Sequence, residues 1–347
     1  MAAHTEAKEI ELFKYRDRRS TGIHVGDGGL QVVELRLSGK AAVLEGALRL
    51  NIHELPFPLP WVDPTFQHVI ADTIRNARRQ HGVRFRRPYF ALDERSATVK
   101  RRELLPGKVQ DNRDNLEWEA RQFLSADLGA YAVDYLLTSE YGFVVAARRA
   151  AMDRVRGVCQ HAGIPKPEFD LAPFALYNAL EASSGLLSSG CELLLDVGVS
   201  TARSVLLVEG QLRWVGMVRA RRLTTFANGS GEATLDAAAL DEDSAAAEDD
   251  SATARESPQS DFDEWMDTLA RGAEKLVHAE LGAMHVDRCW LSGNYATQAQ
   301  EPLARRLGLA VQLMDPFSRI DTGTQELDEP TVFAIATGLA LRGISES

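Results

Sequence analysis

The chain has 347 residues, 45% hydrophobic and 26% charged, which excludes a fibre, a disordered chain and a lone small core and implies two domains or one two-lobed body. The formal net charge is −11, and a stretch from Glu232 to Glu264 with twelve acidic residues and one basic residue accounts for all of it, leaving the rest neutral. Cys159, Cys191 and Cys289 are scattered, which excludes a disulfide framework and a zinc or redox motif, and no run approaches the ~20 apolar residues of a membrane span.

The first 21 residues are too charged for a secretory signal, so a cytoplasmic protein is expected. From Gly22, the runs GIHVG, LQVVELRL and AAVLEGALRL, separated by Asp27-Gly28-Gly29 and Ser38-Gly39-Lys40, predict an antiparallel meander. Phe66, Val69, Ile70, Ile74 and Ala77 recur at helical spacing over 65–81, and RRPYFAL follows as a strand. A second pattern runs from Ser96 to Ala172: strand ATVKRREL, helix DNRDNLEWEARQFL, strands VDYLLTSE and YGFVVAA, helix MDRVRGVCQHAG and strand PKPEFDLA. It reads as a small α+β insertion.

A helix over 173–183 leads into the apolar strand CELLLDVG and the hairpin ARSVLLVEG/QLRWVGMVR, so the opening meander is repeated. At an offset of 172, Gly26 falls on Gly198, Val33 on Val205, Leu35 on Leu207, and His24 opposite Asp196. After the acidic stretch, Phe262, Trp265, Met266, Leu269, Ala273, Leu276, Val277 and Leu281 form the stripe of a long helix. The strand VDRCWLSGN, helix EPLARRLG, strand LAVQLMDP and helix TVFAIATGLALRG close the chain. A repeat of β-β-β-α units interrupted by one insertion is the organisation of the actin, sugar-kinase and Hsp70 ATPase superfamily, so the expected fold class is α/β, a two-lobed actin-like (ribonuclease H-like) fold.

Such a repeat makes a cleft between lobes, and turns of the form Asp-x-Gly supply it with backbone N–H groups for phosphate and a carboxylate for Mg²⁺. Asp196-Val197-Gly198-Val199-Ser200-Thr201 fits this pattern, and a plain hairpin in which Asp196 caps its own turn is the alternative. In the first turn His24 stands where that carboxylate would be, with Asp27 three residues on. Leu291-Ser292-Gly293-Asn294-Tyr295 corresponds to the Gly-Gly turn against which adenosine would lie. The candidate nucleotide residues are therefore Gly26, Asp27, Gly28, Asp196, Gly198, Ser200, Thr201, Gly293 and Asn294, with Asp196 as the Mg²⁺ ligand and no catalytic residue. Arginines at 75, 78, 79, 84, 86 and 87, with further basic clusters at 100–102 and 219–222, lack any nucleic-acid recognition pattern and read as a solvated face or a surface for an acidic protein.

The segments TGIHVGDGGLQVVEL, EWEARQFLSADLGAYAVDYLL, VVAARRAAMDRVRGVCQHAGIPKPEFDLAPFALYNAL, LLLDVGVSTARSVLLVEGQL, DRCWLSGN and FAIATGLALRG together resemble the PilM family of actin-like cytoplasmic proteins of type IV pilus assembly. The resemblance implies an adaptor that binds the cytoplasmic N-terminal tail of a PilN-like inner-membrane protein in a groove beside the inserted subdomain, with Trp118, Glu119 and Phe123 as partner-binding residues. It also implies other platform components as partners, a homo-oligomer or ring, and ATP with Mg²⁺ as cofactor. His24 and Asn294 depart from the family pattern, and the acidic stretch replaces the Glu-Ala-Glu…Lys helix that usually follows the second hairpin, which argues for a degenerate cleft. An ATP-switched ATPase using Asp196, Ser200 and Thr201 is the second reading, and a small-molecule kinase the third. The expected divisions are a tail (1–21), lobe I core (22–95), inserted subdomain (96–172), connecting helix (173–189), first part of lobe II (190–231), acidic loop (232–261), second part of lobe II (262–328) and a C-terminal helix on lobe I (329–347).

Overall fold

The computed structural model describes residues 18–26, 29–52, 61–92, 94–104, 109–124, 128–199, 201–219, 258–282 and 284–345. Lobe I opens with three antiparallel strands, β1 (Arg19–Gly26), β2 (Gly29–Ser38) and β3 (Ala41–Leu50). Their residues alternate between two cores. Ile23, Val25, Leu30 and Val32 share one with α1 (Pro64–Gln80), which buries Phe66, Ile70, Ile74 and Ala77 along one stripe; Val33, Leu35 and Leu44 belong to the other. Asp63 caps α1 by accepting from the Thr65 N–H at 2.8 Å. β4 (Pro88–Leu92) then adds to β1 in parallel.

The chain next leaves this sheet. β5 (Ala97–Glu103), α2 (Val109–Phe123), β6 (Tyr131–Leu137) and β7 (Tyr141–Arg148) make a separate antiparallel sheet of order β5-β7-β6, on which α2 buries Leu116 and Ala120. The excursion closes at Arg148, because α3 (Arg149–Ala162) packs beside α1 and β8 (Glu168–Leu171) pairs in parallel with β4. The inserted sheet is thus shorter than the expected 96–172. The β-α-β alternation of 141–171 looks the same in either sheet, and only the long-range pairing of β8 decides.

Lobe II follows α4 (Ala172–Ser183) with β9 (Cys191–Val197), β10 (Thr201–Val208), β11 (Gln211–Arg219), α5 (Pro258–Leu281), β12 (Arg288–Ser292), α6 (Ala296–Leu307), β13 (Val311–Leu313) and α7 (Ala334–Ser345). Its sheet order, β11-β10-β9-β12-β13, reproduces β3-β2-β1-β4-β8 strand for strand, including the antiparallel and parallel senses. A register irregularity between Glu34 and Leu35 of β2 recurs between Leu206 and Leu207 of β10, the same offset of 172 at which the turns align. Strand register carries no residue-type information, so this is separate support for the repeat. α5 buries Trp265, Met266, Leu269 and Ala273 against Leu193, Leu195 and Val197. α6 begins at Ala296 and carries Pro302 in its interior, whereas Pro302 reads in the sequence as a helix start.

Two helices that are apolar on nearly every side, α4 and α7, cross between the sheets, as helices without a polar face must. α7 packs on β1, β2 and β4, and α4 lies against β10 and β11. The contact is close enough that a Cβ at Gly338 would overlap the Ala175 carbonyl, and one at Gly22 the Ala336 carbonyl. The small sheet is tied to lobe II. Arg101 of β5 donates to both carboxylate oxygens of Glu280 on α5 and, at 2.7 Å, to the Arg213 carbonyl of β11. Arg213 in turn lies 3.1 Å from Glu140, and the Tyr141 ring has the Arg101 and Arg213 guanidinium carbons 4.8 and 4.4 Å from its centre. Among the described residues no helix is long and apolar enough to cross a membrane.

Candidate functional site

Every residue of β9 is buried, because α5 covers one face of the strand and α4 the other, so the chemistry of its last polar residue is decided by cross-strand neighbours. Asp196 pairs in register with Arg203 on β10 and with Ser292 on β12. Ser292 Oγ donates to Asp196 Oδ1 at 3.0 Å, and Arg203 Nη1 donates to Oδ2 at 3.0 Å; Asp196 is 5% exposed. In lobe I the same two positions, 172 residues earlier, hold His24 and Gln31, again a register pair and both buried. Burial, and secondly the Arg203 charge reaching across from lobe II, push the His24 imidazole down to about 3; the Gln31 side chain opposes both. His24 is therefore neutral at physiological pH, and Arg203 stands close enough to both turns to act on each.

The described residues that flank the lobe II turn are closely held. Gly198 N–H donates to the Thr201 carbonyl at 2.8 Å, and the Gly198 carbonyl accepts from Trp265 Nε1 at 3.2 Å. Gly293, with φ +94°, presses on the same hairpin: a Cβ there would sit 2.6 Å from the Val197 carbonyl oxygen and 3.0 Å from Asp196 Oδ1. Tyr295 N–H also donates to the Val197 carbonyl, at 3.1 Å. Asp196, Gly198, Thr201, Gly293 and Asn294 thus gather at one end of lobe II, with Thr201 4% exposed. In lobe I the His24 ring lies over Gly26, its Cε1 2.8 Å from where a Cβ would be. Asp27, Gly28 and Ser200 lie outside the described residues, as do residues 232–257 of the acidic loop expected over 232–261; its last four residues, 258–261, instead open α5.

Arg203, Ser292 and Gln31 are the cleft residues that motif reading missed. Their signal was register: once the Asp196 turn is accepted as a hairpin, counting back from Gly198 and Thr201 sets Arg203 opposite Asp196. This set does not fit Mg²⁺. The ion requires oxygen ligands in octahedral array, yet the two Asp196 oxygens already accept from a hydroxyl and a guanidinium, and lobe I offers an imidazole where a second carboxylate would stand. Bringing a divalent cation to Asp196 would also set it against the Arg203 charge. Among the described residues no group of three or more His, Cys, Asp and Glu is placed to hold a metal.

The second candidate region is the small sheet. Trp118 is 62% exposed on the outer side of α2, while Leu116 and Ala120 face the sheet. Glu119 pairs with Arg102 of β5, and Phe123 packs on the subdomain core with Lys100 Nζ 4.5 Å from its ring centre. Of the three residues expected to meet a partner, Trp118 alone turns to solvent. β6 is the outer strand of the sheet, pairing only with β7 among the described residues, and carries Leu136 36% exposed.

The repeated sheets and the crossed central helices define a two-lobed, actin-like protein. No protein-family model matches the chain, and no curated protein is similar to it. Among solved structures it is similar to a chain of a PilM–PilN type IV pilus biogenesis complex, with 17% identity and a TM-score of 0.68 over 94% of this chain and 98% of that one. It is also similar, with a TM-score of 0.46 and 9% identity, to a Bacteroides thetaiotaomicron protein of unknown function and actin-like ATPase fold, covering 94% and 97% of the two chains. For the cytoplasmic domain of EpsL, an inner-membrane component of the Vibrio cholerae type II secretion system, the TM-score is 0.44 at 11% identity, covering 93% and 95%. The chain thus has the actin-like fold, similar to that of a chain in the PilM–PilN complex.

Proposed function

We propose that the protein is a cytoplasmic, PilM-like adaptor of a type IV pilus or related secretion machine, held at the inner membrane by docking the cytoplasmic tail of a PilN-like protein. The observation that carries this reading is the exposed Trp118 beside a sheet whose outer strand β6 is open to strand addition. A large exposed aromatic on a well-packed helix is the usual anchor of a protein interface. The Asp196–Arg203 pair supports the other half of the proposal, a cleft that keeps the actin-like shape without Mg-ATP.

The docking test is titration of the full chain with a peptide copied from the cytoplasmic tail of a membrane protein encoded beside it. Trp118→Ala should weaken binding by about tenfold or more, the loss typical of an interface anchor. Undiminished binding by Trp118→Ala, or no binding of any such tail, would sink the reading. For the cleft, thermal denaturation with and without millimolar Mg-ATP should coincide. A nucleotide present at a hundred times its Kd would instead add about 2.7 kcal/mol of stability.

A further inference from the structure

At the end of β1 remote from the Gly26 turn, between the C-terminal ends of α1 and α3, lies a concavity of about 870 Å³. Arg19, Arg78, Arg84, Arg86 and Arg87 line it, together with Phe85 and the 163–165 turn. The acidic groups nearby are already engaged. Glu45 pairs with Arg19 and Arg36, and Glu34 Oε1 accepts from the backbone N–H groups of Arg84 and Phe85 at 2.8 and 3.1 Å. Arg78 donates to the Gly163 carbonyl. Arg84, Arg86 and Arg87 are exposed and meet no carboxylate among the described residues, so the pocket carries a net positive charge.

The loop that presents these arginines is held rather than merely basic. Phe85 is fully buried, Ser20 Oγ donates to the Arg87 carbonyl at 3.2 Å, and Glu34 ties down two successive amides. Under these ties Phe85 and Arg87 adopt φ of +50° and +40°, two of the four left-handed non-glycine residues described. Strained backbone of this kind persists only where the surroundings over-determine it, and it concentrates at ligand sites. The consequence is one aromatic buried beneath the loop and three exposed arginines presented from a fixed backbone at the rim of a hollow. A planar guanidinium donates in a fork that matches phosphate oxygens, and the volume lies within the range of about 300–1,000 Å³ usual for small-ligand sites. A flat acidic protein surface would meet such a hollow poorly.

We propose that this pocket binds a compact ligand bearing two or more phosphate groups, either soluble or as a membrane headgroup. The full chain would be titrated with inorganic tripolyphosphate in a calorimeter, and in parallel floated with vesicles of phosphatidylcholine alone or mixed with anionic cardiolipin, whose headgroup carries two phosphates. The pocket variant is Arg84→Gln/Arg86→Gln/Arg87→Gln. A charge-matched control, Arg271→Gln/Lys275→Gln/Arg305→Gln, removes three exposed cations elsewhere. Circular dichroism checks that both are folded. Loss of about a hundredfold in tripolyphosphate affinity in the pocket variant alone supports the site with a soluble ligand. Flotation with anionic vesicles without tripolyphosphate binding, abolished in the pocket variant alone, supports a headgroup. Binding of neither probe, retention in the pocket variant, or equal loss in the control overturns the proposal.

Discussion

His24 and Arg203 show how far a single residue departs from what its motif position suggests. The folded imidazole titrates near 3 against 6.5 when free, so between these values the unfolded chain binds the extra proton. His24 therefore contributes stability that is fully present above pH 6.5 and is lost as pH falls toward 3, at about 1.4 kcal/mol per pH unit. Glu34, whose carboxyl is pushed up mainly by burial, acts in the opposite sense, losing stability as pH rises. The measurement that isolates His24 is the slope of unfolding free energy with pH, from urea titrations between pH 6 and pH 4, in wild type and His24→Gln; the variant should be flatter by up to the same ~1.4 kcal/mol per unit. An equal slope would mean that the imidazole is not buried neutral. Removing the other partner has a different signature. Arg203→Ala leaves the buried Asp196 carboxylate without its cation and should cost about 3–5 kcal/mol, while adding Asp196→Asn should recover much of it. At this scale the turn residues were legible, because Asp-x-Gly announces a hairpin. The Arg203 contact was legible only as a register count from that hairpin, and the Ser292 contact was not legible at all, because β9 and β12 meet only in the fold.

At the scale of elements, the opening meander, its repeat and the amphipathic α1 and α5 could be read directly, since their apolar periods of two and 3.6 are strong and their turns are rich in glycine. The two elements that misled were those whose local signal has two meanings. Pro302 reads as a helix start yet sits inside α6, and β8 reads as part of the insertion yet belongs to the lobe I sheet. The α4–α7 crossing was legible only as two apolar helices. That glycines let them approach needs the packing itself. Gly338→Ala should destabilise by about 3 kcal/mol or more, because the new methyl meets backbone rather than a movable side chain. Gly39→Ala serves as the comparison, since nothing lies within 4 Å of a Cβ there and only its left-handed φ resists substitution. Thermal denaturation of both should rank Gly338→Ala as clearly the more damaging.

For the whole molecule, the two-lobed plan was readable because the repeat is written twice in one chain, down to the shared irregularity in β2 and β10. Charged contacts between distant parts were not, since exposed arginines and glutamates follow no period. The Arg101–Glu280–Arg213 cluster is one of these, and it is only partly buried, so Glu280→Gln should cost about 1 kcal/mol in global stability. Hydrogen exchange is the more telling readout: amides of β5 and β7 should lose protection while those of β9 and β12 keep theirs. Uniform loss would mean that the cluster does not join the small sheet to lobe II specifically.

That same cluster gives the molecule a mechanical axis. A tail laid along β6 would pull on β7, β7 on β5, and β5 on α5 through the Arg101 guanidinium and the Glu280 carboxylate. Tension applied at the docking edge then reaches lobe II without passing through the gap between the two turns. If a tail docks at β6 as proposed, the joint between small sheet and large lobe would carry part of its load directly into lobe II.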